Sequence, residues 1–171
     1  MKATDAIRLV LELSNGDMRF IEEMREAPLL RPMDGGNHPM WLLGHLTLAE
    51  GRLHQIWLGE PNAVAHLKPL FDWGTEPSDD ASVYPTFDEL LATYRRLRAR
   101  TLELLAGLSD EELDEPTKSP PPGLEEWFGT VGQTLMTIAL HQGFHGGQAS
   151  VARRAGGKKP SFVPSQALRD F

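Results

Sequence analysis

The sequence predicts an all-α protein, a four-helix bundle with a long crossover between its second and third helices. Three observations predict it. Four long segments carry apolar residues at three- and four-residue spacings. Capping residues, prolines and glycines bound those segments. No segment reads convincingly as a strand, and there is no internal repeat. A length of 171 residues suits one domain spanning 1–171.

The first helix is expected from about Thr4 to Glu26. Ile7, Val10, Leu11, Ser14, Met18, Ile21 and Met24 share one face. Thr4 or Asp5 can cap its start, and Pro28 and Pro32 stop its continuation. The second helix begins near His38 or Pro39, with Asn37 as a plausible cap and Pro39 suited to the first turn. It runs to about Leu58, where Gly59 and Pro61 end it.

Residues Gly59 to Pro85 read as irregular, with Pro61, Pro69, Gly74, Pro77 and Pro85. A loop this long needs a reason inside a compact fold. A helix of ~20 residues is ~30 Å long. A crossover of this size can return the chain to its starting end, so the helices it joins can run parallel, unlike a plain up-down-up-down bundle. Thr86 and Glu89 form a capping box that opens the third helix. It continues to about Ala106, with Leu90, Leu91, Tyr94, Leu97, Thr101, Leu104 and Leu105 inward, and Gly107 ends it. Ser109 and Glu112 form a second box over a short helical turn. Glu115 to Gly129 reads as a proline-rich loop whose Pro120 to Trp127 part, with Glu125 and Glu126, either borders the site or is a plain connector, the reading that loop statistics favour. The fourth helix spans about Thr130 to Arg154, and Lys158 to Phe171 reads as loop.

Composition narrows the function. The formal charge is −7, so no nucleic-acid partner is expected. Arg95, Arg96, Arg98 and Arg100 read as a solvated helix face. The absence of cysteine excludes disulfides, thiolate zinc sites and a cysteine nucleophile within this sequence. Met1 to Leu13 has neither a signal-peptide core nor a membrane span, which predicts a soluble, cytoplasmic protein with no membrane partner.

The chemistry concentrates in histidines. His141 and His145 lie about 40° apart around the fourth helix, one turn from each other. One helix offers two imidazoles to one metal at this spacing, although such pairs also occur merely hydrogen-bonded or exposed. Gln148 lies about 20° off His141 and can reach the same site as a hydrogen-bonding neighbour. Thr137 shares the polar stripe. Gln142 stands where the zinc proteases' H-E-x-x-H motif carries its glutamate base, and glutamine cannot take a proton. His45 sits in the apolar run Trp41-Leu42-Leu43-Gly44-His45-Leu46, as a third candidate ligand or a satisfied core histidine. Gly44 lets another helix or a ligand approach. Arg52 lies about 20° off His45 and can line the same wall. His54 points about 180° away from His45. His38 at the helix start and His66 in the loop are weaker candidates. Glu50, about 140° from His45, reads as a surface or inter-helix charge.

The Trp41 to Leu46 run, Pro39-Met40-Trp41 ahead of it, and the late His141-x-x-x-His145 with Gly147-Gln148 together resemble the DinB/YfiT-like superfamily. The resemblance spans nearly the whole chain. It implies an up-down-down-up four-helix bundle, frequent homodimers, and a metal site of His45, His141 and His145. Three imidazoles suit a divalent transition metal, nickel or zinc first, with iron or copper compatible. Three protein ligands leave a position open for water or substrate, as in catalytic sites. The resemblance also implies a thiol S-transferase acting on small molecules with a low-molecular-weight thiol such as bacillithiol or mycothiol. A metal-dependent hydrolase and a non-catalytic metal-binding stress protein are the alternatives.

Overall fold

The computed structural model describes residues 1–161. It is all-helical, with no strand among those residues. Four long helices dominate: α1 (Ala3–Glu22), α2 (Pro39–Leu58), α4 (Phe87–Ala106) and α6 (Val131–Ala155). Two helices of four residues, α3 (Lys68–Phe71) and α5 (Glu125–Phe128), lie in the connections. The part of the expected C-terminal loop after Ser161 falls outside the described residues. No described helix is long and apolar enough to cross a membrane.

The helix starts depart from expectation in two places. Neither Thr4 nor Asp5 caps α1, because Lys2 holds the cap position without a side-chain bond. The carboxylate of Asp110 does that work from the start of the connection after α4. It accepts from the backbone N–H groups of Ala3 at 3.0 Å and Thr4 at 2.9 Å, and from the Thr4 hydroxyl at 2.7 Å. A remote carboxylate satisfies orphan donors as a local cap would. At α2 the cap is His38, not Asn37: His38 Nδ1 accepts from Trp41 N–H at 3.0 Å. Asn37 instead reaches Gln148. α1 ends at Glu22, four residues short of Glu26, and loose turns carry the chain onward.

The other boundaries follow the sequence. Gly59 ends α2 in the left-handed region at φ 72°. Capping boxes open α4 at Thr86–Glu89 and α6 at Thr130–Gln133, and Ser109 with Glu112 forms the short one between. The crossover is less irregular than expected. It holds short 3-10 turns at Ala65–Leu67 and Ala81–Val83 beside α3. They place the Phe71 ring, fully buried, against Gly44, where a Cβ would overlap it. The approach that Gly44 permits is thus made by Phe71, the last residue of the short helix α3 in the crossover. The loop expected from Glu115 to Gly129 likewise contains α5.

The core is divided. One apolar cluster gathers Met18, Ile21, Leu42, Leu46, Phe71, Leu91 and Tyr94. The other gathers Ile7, Leu11, Leu53, Trp57, Leu105 and Leu135. Buried polar residues lie between them along the chain of every long helix: Ser14, Glu50, Arg98, Thr101 and Gln142. This corrects the reading of Arg98 and decides between the two readings of Glu50. Arg98 is only 3% exposed and so is no part of a solvated face, and Glu50, at 1%, is an inter-helix charge and not a surface one. Their ion pair, at 2.9 Å, removes each other's charge from an apolar interior.

Candidate metal centre

The centre forms where α2 and α6 face each other. His45 enters from α2, and His141 and His145 enter from successive turns of α6. His141 Nε2 lies 3.0 Å from His45 Nε2 and 3.1 Å from His145 Nε2. The three ligand atoms all fall within 4.8 Å of one another. A tetrahedral ion bonded to imidazole nitrogen at ~2.0–2.1 Å would set its ligands ~3.3 Å apart. The two short separations lie just inside that figure, so a small outward adjustment makes room.

The outer nitrogens fix the orientation. His45 Nδ1–H donates to the Phe71 carbonyl at 2.7 Å, and His145 Nδ1–H donates to Gln148 Oε1 at 3.1 Å. Both assignments follow from the acceptors present. They leave the Nε2 lone pairs of His45 and His145 aimed at the same point as His141 Nε2. His141 can donate one N–H to only one of them. A cation satisfies all three, and the donor set therefore fits a divalent metal. The Trp41 ring stacks on His45 at 4.6 Å, nearly parallel, and locks its plane.

Electrostatics keep the imidazoles neutral. Burial, then the neighbouring His145, His45 and Arg52, push His141 down to about 3. Burial pushes His145 down to about 4, against the Gln148 hydrogen bond. Burial also lowers His45, opposed by its bond to Phe71. Neutral imidazole is the form that ligates metal.

A cavity of about 480 Å³ opens over the three rings. Leu48, Ala49, Ile138 and Phe128 give it apolar walls, and Trp73 and Phe144 stand exposed at its edge. Arg52 lines it too, with Nη2 bonded to Asp72 at 2.6 Å. Thr137 lines the same wall, its hydroxyl donating to the Trp127 carbonyl. From the Pro-rich connection the lining takes Phe128 but neither Glu125 nor Glu126.

The remaining histidines are elsewhere. His54 meets Thr101, His38 Nε2–H donates to the Ser78 carbonyl, and His66 is exposed. Gln142 faces Arg98 and Ser14 in the polar layer. Sequence reasoning missed Phe71, Asp72 and Trp73, because nothing local in a crossover says which helix it will cross. The Trp41 stack was within reach, since Trp41 and His45 are four residues apart on one helix.

Comparison with known families gives one finding: the DinB superfamily profile matches residues 18–149, from within α1 to within α6. All three site histidines fall inside that match. No curated protein shows a significant match to the chain.

Proposed function

The chain belongs to the DinB superfamily, and from that premise we propose that it is a metal-dependent thiol S-transferase acting on small molecules. The convergence of three Nε2 atoms carries the proposal. His45, His141 and His145 would hold one divalent transition metal, nickel or zinc first, with iron or copper compatible with the same ligands. A bound ion of this kind lowers the pKa of a coordinated thiol and holds it as thiolate. The chain itself contains no cysteine, so the thiol comes with a low-molecular-weight cosubstrate. Phe71, Gln148 and Trp41 orient the ligands, the apolar walls exclude water, and the Arg52 guanidinium favours an anion in the cavity.

Hydrolysis is the second reading, favoured by one observation: Asp72 is a carboxylate on the cavity wall. Partial burial raises its pKa, but bonds from Arg52 and Trp73 N–H, with the Arg52 charge, hold it below the ordinary range. A carboxylate so stabilised is a weak general base at neutral pH.

Elemental analysis of protein purified without an affinity tag tests the metal, and we expect close to one ion per chain. A screen of bacillithiol, mycothiol, cysteine and glutathione against electrophilic acceptors tests the reaction. Thiol-dependent turnover is expected. Ester or amide hydrolysis without thiol would favour the second reading, and absence of metal would sink both.

The proposal includes two structural features. The long helices run up-down-down-up. In support, α1 and α6 each pass from the Leu11 cluster to the Met18 cluster along the chain, while α2 and α4 pass the opposite way. The protein also forms a homodimer. In support, α6 exposes Met136, Leu140 and Phe144 at four-residue intervals, and α1 exposes Leu9 and Leu13. Sedimentation should give a dimer, and Leu140→Asp should shift it to monomer with metal content unchanged. A wild-type protein that stays monomeric at high micromolar concentration would refute the dimer.

A further inference from the structure

Asn37 stands just ahead of α2 but does not cap it, since His38 holds that position. Its side chain crosses instead to α6, 111 positions along the chain, where Nδ2–H donates to Gln148 Oε1 at 3.2 Å. The same oxygen accepts from His145 Nδ1–H at 3.1 Å. An amide oxygen has two lone pairs, so it serves both donors at once. Asn37 and Gln148 are half-buried and line the metal cavity. Among the described residues, the buried side-chain polar atoms that lack a partner are both on Arg98. The Gln148 NH2 group is therefore left to the water of the cavity, and this orientation strands no donor.

An amide has a reversed alternative. Turned by 180°, Gln148 would bring its NH2 to His145 Nδ1, which would then have to accept. The His145 proton would move to Nε2, where His141 Nε2 lies 3.1 Å away. An Nε2 that carries a proton has no lone pair for a metal. The imidazole serves in either tautomer, so the group at position 37 decides which arrangement is open. It must give a proton to the glutamine oxygen for the ligating one.

We propose that Asn37 is a positioning residue of the metal centre: its N–H holds the Gln148 oxygen toward His145, and so keeps His145 Nε2 free to ligate. This role rests on the three-histidine reading of the site, and Asn37 acts through Gln148.

Zinc affinity of the full chain, read by competition with a chelator at neutral pH, tests it. In Asn37→Asp, position 37 can only accept. Affinity is expected to fall about 10-fold or more, as when an outer partner of a metal ligand is lost. Negative charge added beside a cation acts the other way, so charge alone cannot produce the fall. Gln148→Glu is the second variant. Both its ends are oxygens, so it accepts from Asn37 and His145 in either orientation. It is expected to bind zinc more tightly, because a carboxylate partner raises the basicity of a ligating imidazole. Ring-nitrogen NMR of the zinc-free full chain reads the tautomer itself. The His145 proton should sit on Nδ1 in the wild type and on Nε2 in Asn37→Asp. Zinc binding in Asn37→Asp as tight as in the wild type or tighter, an equal fall in Gln148→Glu, or a His145 proton that stays on Nδ1 in Asn37→Asp each overturns the role and leaves the metal centre standing. A wild type that binds no zinc or other divalent ion overturns both together.

Discussion

Replacing His141 by alanine is expected to lower metal affinity by more than about 10²-fold and to leave under about one-tenth of an ion per chain after dialysis. The outer partners of a metal ligand are typically worth about 10–100-fold in affinity, and a ligand is worth more. His141 is also the shared vertex of the site, 3.0 Å from one partner nitrogen and 3.1 Å from the other. Without it, two imidazoles on different helices remain. Helix content by circular dichroism should not change, because His141 is only partly buried and caps nothing. Retention of stoichiometric metal in this variant would remove the site.

The same centre fixes a pH dependence. With His141 near 3, His145 near 4 and His45 also lowered, protons compete poorly for the ligands at neutral pH. Metal affinity should therefore stay nearly level from pH 8 to about 5, then collapse as pH falls through about 4. Ordinary histidines would begin to release metal near 6.5. The sign for folding runs the same way. Between about 6.5 and 4 the unfolded chain binds more protons than the folded one, so stability falls as pH falls. Competition titrations with a chelator at stepped pH measure the first effect, and acid denaturation of metal-free protein measures the second.

How much of this was legible in the sequence depends on what each inference required. Helical spacing was enough to put His141, His145 and Gln148 on one stripe, because period 3.6 is a local property. The capping box of Thr86 and Glu89 located the start of α4 for the same reason. His45 needed more than spacing, since no rule of periodicity says which residue of α2 faces α6, and there the family pattern supplied the missing link. The long-range caps were not legible. Asp110 is 106 positions from Thr4, and only the packed fold brings them together. Arg98 was misread for a related reason. Arg95, Arg96 and Arg100 are all exposed, and composition alone cannot separate one buried arginine from three solvated neighbours. Glu50 offered the only hint, as a lone acid in the apolar second helix.

That buried pair predicts the largest effect on stability. Glu50→Ala is expected to destabilise the protein by about 3–5 kcal/mol, the usual cost of removing one partner from a buried ion pair. At about 2–4 °C per kcal/mol for a chain of this size, the melting temperature should fall by roughly 6–20 °C. The reason lies in the polar layer that separates the two apolar clusters. Glu50 Oε2 accepts from Arg98 at 2.9 Å, and its Oε1 accepts from Thr101, which in turn meets His54 at 3.0 Å. Arg98 also holds Gln142, whose amide donates to the Ser14 carbonyl at 2.8 Å. One carboxylate thus ties α1, α2, α4 and α6 into a single connected set. Without it, the Arg98 charge stays buried with no counter-ion. The double replacement Glu50→Leu with Arg98→Met removes both charges and keeps similar volume, so it should recover most of the loss, as paired apolar replacements often do. Denaturant titration of the two single variants and the double variant forms the cycle that reads the coupling. A Glu50→Ala cost below about 1 kcal/mol would place the pair among weak surface bridges and refute its role in joining the helices.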